Sequence, residues 1–141
     1  MADKKNLSVT LKHLKGLTFA AMSESGHWTV MDTRKDIEGN EGAPTPKEFL
    51  LMAVGGCTAM DVASILLKMK QPFTDIRLEV TAEYEPDPPN TVSDIHIHYI
   101  VKGNVDPERV EHAIDLSQDK YCSVSATLRP GVKITKSFAI E

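Results

Sequence analysis

The sequence predicts an α+β fold, and three observations predict it. Residues 7–30 alternate apolar and polar side chains in three short runs separated by turn signals. A long apolar helix follows, opened by a proline. Two more alternating runs, two helical stretches and a last alternating run complete the order β-β-β-α-β-β-α-α-β.

Each element has a local cause. Leu7, Val9 and Leu11 face opposite to Ser8, Thr10 and Lys12; Leu17, Phe19 and Ala21, then Trp28 and Val30, repeat the pattern. Lys15-Gly16 and Ser23-Glu24-Ser25-Gly26 are the turns, so three antiparallel strands joined by hairpins are expected. Residues 33–46 are polar and carry Gly39, Gly42, Pro44 and Pro46, which predicts a long mobile loop. Thr45-Pro46-Lys47-Glu48 is a helix start: a Thr cap, Pro at the first helical position and Glu three residues after the cap. That helix should run to about Lys70 and stop before Pro72. Ile76 to Ala82 and Ile95 to Val101 alternate as strands around the turn at Pro86–Asn90. Asp106-Pro107-Glu108 opens a second helix with Val110, Ala113, Ile114 and Ser117 inward. A short helix from near Cys122 through Leu128 and a last strand from Val132 to Ile140, with a register change near Thr135, finish the chain. No repeat, low-complexity tract or linker interrupts residues 1–141, so one domain is expected.

Composition narrows the function. Of 141 residues, 41% are apolar and 26% charged, with a net charge of −4. Lysines and arginines are scattered among acids, without the basic stripe that phosphate binding needs, so nucleic-acid binding is not expected. The N-terminal MADKKNLSVT lacks an apolar signal core, which points to the cytoplasm and to reduced thiols. Phe49–Leu67 is apolar and long enough to cross a bilayer, but Asp61 would cost about 2.5–3.5 kcal/mol there. A core helix, and no membrane partner, is the better reading. One side of a six-strand sheet cannot cover a helix apolar all round. A homodimer is therefore expected, with an apolar interface centred on residues 49–67.

Two cysteines carry the candidate chemistry. Cys57 follows Gly55-Gly56 in the long helix, and each glycine costs about 1 kcal/mol there against alanine, which suggests close backbone approach or room beside the sulfur. Cys122 falls 65 positions later, at the predicted start of a short helix, where amide dipoles should lower its pKa. Two small buried cysteines would fit the same pattern, and patterning leaves both readings open. Asp61 lies one turn after Cys57; it would raise the thiol pKa unless paired with Arg34 or a lysine. His96 and His98 share a strand face with Asp94, but no further ligand is placed nearby, so a polar surface rather than a metal site is expected. His27 reads as a turn residue, and Met22, Met52, Met60 and Met69 as core filling.

The stretch APTPKEFLLMAVGGCTAMDVASIL resembles the first-cysteine helix of the OsmC/Ohr family, the osmotically inducible and organic-hydroperoxide-resistance proteins, and DLSQDKYCSVSATL resembles its second-cysteine segment. GLTF, SESGH, VMD, PTPKE and GGC resemble the YhfA-like branch. The resemblance covers nearly the whole chain. It implies two sheets wrapped around central helices in an intertwined dimer. It implies that Cys57 attacks an organic hydroperoxide, that the sulfenic acid condenses with Cys122, and that a dithiol such as a lipoyl protein reduces the disulfide. No cofactor or metal is implied.

The chain departs from that pattern in places. Active members carry a Glu directly after the helix-starting Pro; here Lys47 stands there and Glu48 follows, about 180° round the helix from Cys57. The family's activating Arg corresponds loosely to Arg34, in a longer loop, and Ser123 follows Cys122 where many relatives have Pro. Arg34 and Glu48 are thus supporting candidates, with a solvated loop and a helix cap as their simpler roles. The alternatives to a peroxidase are a non-catalytic binding protein that keeps the pocket, or a slow redox sensor.

Overall fold

The computed structural model describes residues 2–141. The chain divides into two compact units, Met1–Phe49 and Leu50–Glu141. The element order is the expected β-β-β-α-β-β-α-α-β. The strands do not form one six-stranded sheet: they form two sheets of three, one in each unit.

In the first unit, β1 (Val9–Lys15), β2 (Thr18–Ser23) and β3 (Trp28–Met31) pair antiparallel in chain order. Gly16 turns the first hairpin at φ 58°, a left-handed conformation that glycine adopts without a Cβ penalty. The loop after β3 is better anchored than its composition suggests. The buried Asp32 carboxylate accepts hydrogen bonds from the Thr33, Asn40 and Gly42 amides at 2.8, 3.1 and 3.0 Å, and from Thr18 Oγ1 at 2.9 Å. A 3-10 turn, Lys35–Ile37, fills the loop between these points. Donation led by the Asn40 amide outweighs burial and holds the Asp32 pKa down at about 2.

Helix α1 (Pro46–Lys68) begins as the sequence requires. Thr45 N–H donates to Glu48 Oε1 at 3.1 Å, and Glu48 N–H donates to Thr45 Oγ1 at 3.3 Å, a complete capping box. Lys70, at φ 55°, ends the helical run, and Gln71 N–H closes back on Leu66 O.

The second unit contains the remainder of α1, then β4 (Phe73–Tyr84), β5 (Val92–Gly103), α2 (Pro107–Leu116), a π-helical turn (Ser117–Tyr121), α3 (Ser123–Leu128) and β6 (Lys133–Ile140). β4 and β5 are antiparallel neighbours; β6 adds parallel to β5, as the intervening helices permit. The β6 register runs unbroken from Lys133 to Ile140, so the expected shift near Thr135 does not occur. Lys136 keeps its place on the inward row by pairing with Asp115.

The core of this unit sits between the sheet and the helices. Ile95, Ile97, Tyr99 and Val101 of β5 meet Val110, Ala113 and Ile114 of α2, and Val54, Val62 and Leu66 of α1. The buried stripe of α1 repeats every four residues, through Val54, Thr58, Val62 and Leu66. Gly55 lets the sheet approach: a Cβ there would lie 3.0 Å from Val80. Met52, Met60 and Leu67 stay exposed, at 50%, 74% and 66%. Met52 and Met60 therefore do not fill the core of the chain; they lie on the uncovered side of its most apolar helix.

Candidate active site

Folding brings the two cysteines together. Cys57 Sγ, Cys122 Sγ and an Asp61 carboxylate oxygen all lie within 4.8 Å of one another, and both thiols are free. Cys57 and Asp61 come from successive turns of α1, so they share a helix face. Cys122 comes from a distant part of the chain, at the junction between the π-helical turn and α3. The turn fixes it: Cys122 N–H donates to Ser117 O at 2.7 Å, and the residue leaves the helical region at ψ 99°. π-Helical turns are rare and are enriched at functional sites.

The two sulfurs sit in different electrostatic settings. Cys57 is half-buried and Cys122 is buried, at 2% exposure. Burial pushes the Cys57 thiol up, but the Val124 N–H, the Cys122 S–H and the Ser123 hydroxyl donate to it and hold it below the ordinary thiol range. Asp61 opposes them by charge. Ser123 Oγ is 4.0 Å from Cys57 Sγ. Burial pushes the Cys122 thiol up, and the neighbouring Cys57 sulfur adds to it; Ser125, through its hydroxyl at 3.1 Å and its amide at 3.4 Å, offsets only part. The expectation that the short helix would lower the pKa of Cys122 is thus reversed. Its Val124 amide serves the other sulfur, and the cysteine at its own cap pays for burial.

A buried polar network backs the site, and sequence reasoning missed most of it. Thr58 Oγ1 lies 2.6 Å from Tyr99 Oη and 2.7 Å from Ser117 Oγ, and accepts from Gln118 Nε2 at 3.0 Å. Ser117 Oγ donates to Asp61 Oδ2 at 2.9 Å. Arg129 donates to the Gln118 backbone oxygen and to its Oε1, both at 3.0 Å. Burial raises the pKa of Tyr99, which keeps its phenol a donor. Asp61 thus has the Ser117 hydroxyl as a partner, where the sequence also allowed a pair with Arg34 or a lysine. The signal available in the sequence was a polar residue, Thr58, repeating at the four-residue spacing of the buried apolar stripe.

The other candidates have local partners of their own. Arg34 belongs to the first unit, exposed and paired with Asp36 at 3.1 Å. Glu48 is engaged in the cap of α1. His96 and His98 form a hydroxyl-bridged surface row: both meet Ser137 Oγ, at 2.8 and 2.7 Å, and His96 also meets Thr135 Oγ1 at 2.7 Å. His27 bonds Ser25 within its turn at 2.8 Å. A cavity of about 380 Å³ opens next to Asp61; its wall, which includes neither sulfur, is formed by Ser64, Ile65, Lys68 and Met69 of the same stretch of chain and by Leu116 and Tyr121. Two thiols and a carboxylate could together hold a soft metal ion; a sulfur pair of unequal acidity is equally the arrangement of an attacking and a resolving thiol.

The chain is similar to known proteins along nearly its whole length. A family model described as OsmC-like protein matches residues 39–137. The chain is 41% identical over 137 residues to Protein YhfA of Escherichia coli K12, covering 95% of this chain and 98% of that protein. A solved structure of a hypothetical protein from Aquifex aeolicus VF5 superposes with a TM-score of 0.82 at 29% identity, covering 98% and 99% of the two chains. An organic hydroperoxide resistance protein OsmC from Legionella pneumophila, also described as a predicted redox protein, shares the fold at a TM-score of 0.73 and 13% identity, covering 98% and 99%.

Proposed function

The chain belongs to the OsmC-like protein family, and from that premise we propose that it is a thiol-dependent peroxidase acting on organic hydroperoxides. The observation that carries the proposal is the pair of sulfurs within 4.8 Å, with Cys57 held below and Cys122 above the ordinary thiol range. The thiolate is the nucleophile in sulfur chemistry, so Cys57 attacks and Cys122 resolves. The Cys57 thiolate displaces an alkoxide from the terminal peroxide oxygen, leaving Cys57 as a sulfenic acid and releasing an alcohol once the alkoxide is protonated. Cys122 then closes the disulfide and water leaves. A disulfide bond of about 2.05 Å asks the sulfurs to close the remaining gap, which side-chain rotation and a small shift of the short α3 can provide. Exchange with an external dithiol, of lipoyl type, restores both thiols.

The descriptions of hydroperoxide-resistance proteins sharing the fold support the substrate class. The apolar side of the 380 Å³ cavity, at Ile65 and Leu116, supports an alkyl-bearing peroxide. The uncovered Met52, Met60 and Leu67 on α1 support a homodimer closed over this helix, in the cytoplasm where thiols are kept reduced.

Stopped-flow mixing with cumene hydroperoxide tests the proposal. One equivalent of peroxide should be consumed per chain, with both thiols lost together. Equal rates in wild type and Cys57→Ser would remove Cys57 as nucleophile. A second reading, a slow redox sensor or a binding protein, is favoured by Lys47 at the family's Glu position and by the Asp36 partner of Arg34. A single oxidation without turnover in the presence of excess dithiol would select it.

A further inference from the structure

We propose that Asp61 is the proton relay between the two sulfurs during disulfide closure. The inference rests on the peroxidase reading for its first step, and the structure supplies the rest. Among the described residues, Asp61 is the one carboxylate grouped with both sulfurs, and no histidine or glutamate joins that group. A separation of up to 4.8 Å is spanned directly after a small side-chain movement, or through one water. The half-buried Asp61 carboxylate itself borders the 380 Å³ cavity, which gives such a water a path to it. Ser117 Oγ fixes one carboxylate oxygen at 2.9 Å, and Thr58 fixes Ser117 in turn. A carboxylate has about four acceptor positions, so this bond leaves capacity for a thiol proton.

The chemistry of closure needs such a group. Cys122 must lose its S–H proton to become a nucleophile, yet burial holds that proton on. The sulfenic hydroxyl on Cys57 must gain a proton to leave as water. One proton therefore moves from Cys122 to the departing oxygen while the S–S bond forms and the S–O bond breaks. Asp61 accepts it from Cys122 and delivers it to the hydroxyl. No external oxidant or reductant enters this step, because the sulfenic sulfur is already oxidised. The same charge opposes ionisation of Cys57 in the first step. A residue that hinders the first step and assists the second has an unusual signature.

That signature is the test. Single-turnover oxidation of reduced wild type and Asp61→Asn is followed by peroxide loss for the first step and by intact-mass detection of the disulfide for the second. Asparagine still accepts the Ser117 hydrogen bond but cannot take a proton. The first step should run at least as fast as in wild type. Closure should slow by at least about 100-fold, the low end of general acid–base effects, and a sulfenic acid trappable by dimedone should accumulate. Asp61→Glu, which keeps the carboxylate, should restore part of the closure rate. Closure at the wild-type rate in Asp61→Asn would overturn the relay, as would equal slowing of both steps. If wild type ignores organic hydroperoxides, hydrogen peroxide can form the sulfenic acid instead, so failure of the substrate assignment stays distinct from failure of the relay.

Discussion

Replacing Thr58 with valine should destabilise the chain by about 2–3 kcal/mol through lost hydrogen bonds alone. Valine keeps the branched shape, so no cavity is opened. What disappears is the hydroxyl at the centre of the buried network, with neighbours at 2.6, 2.7 and 3.0 Å. Each such bond contributes about 0.5–1.5 kcal/mol net. None of the three partners is wholly orphaned. Tyr99 Oη keeps Gln118 Nε2 at 3.3 Å, and Ser117 Oγ keeps Asp61 at 2.9 Å. The loss therefore falls in the middle of the summed range and not at its top. For a domain of this size it lowers the Tm by about 6–12 °C. Thr58→Ser is the control: it keeps the hydroxyl and removes one methyl, at about 1 kcal/mol. Urea unfolding under reducing conditions, at one protein concentration for all variants, measures both. A valine variant within about 0.5 kcal/mol of wild type, or a serine variant less stable than the valine one, would refute the assignment of stability to these hydrogen bonds.

Cys57 should alkylate with a midpoint below the ordinary thiol value of about 8.5, and Cys122 with a midpoint above it; peptide mapping across pH resolves the two, and a reversed order would contradict the donor geometry at Cys57. Asp32 has its folded pKa depressed to about 2, so it contributes stability that is complete above its unfolded value of about 4 and is lost as pH falls from there toward 2. Acid titration of the fluorescence of Trp28, the sole tryptophan, should show that component in wild type and lack it in Asp32→Asn; identical acid profiles would refute it. Met60→Glu, on the uncovered face of α1, should shift sedimentation toward the monomer while the far-ultraviolet spectrum stays native, and an unchanged oligomer would exclude that face from the interface.

Much of the fold was legible because its causes are local. Alternation set the strands, while Thr45-Pro46 and Asp106-Pro107 started two helices. The Asp106 side chain accepts from Glu108 N–H at 3.0 Å, as its position implies. Errors arose where one segment's environment is made by another. The loop after β3 looks mobile by composition, yet a single buried aspartate gathers three of its amides. The methionines look like core by type, yet Met52 and Met60 are 50% and 74% exposed among the described residues.

By itself the sequence determined the order of elements, the cap of α1 and the presence of one cysteine in each of two helical segments. Tertiary structure decided that six strands divide into two sheets and that β6 joins β5 in parallel. It also decided that the sulfurs meet, and which of them ionises more readily. The reason is physical. Strand alternation and helix caps are written within a few consecutive residues, whereas thiol acidity depends on burial and on donors such as Val124, more than sixty residues from Cys57 along the chain.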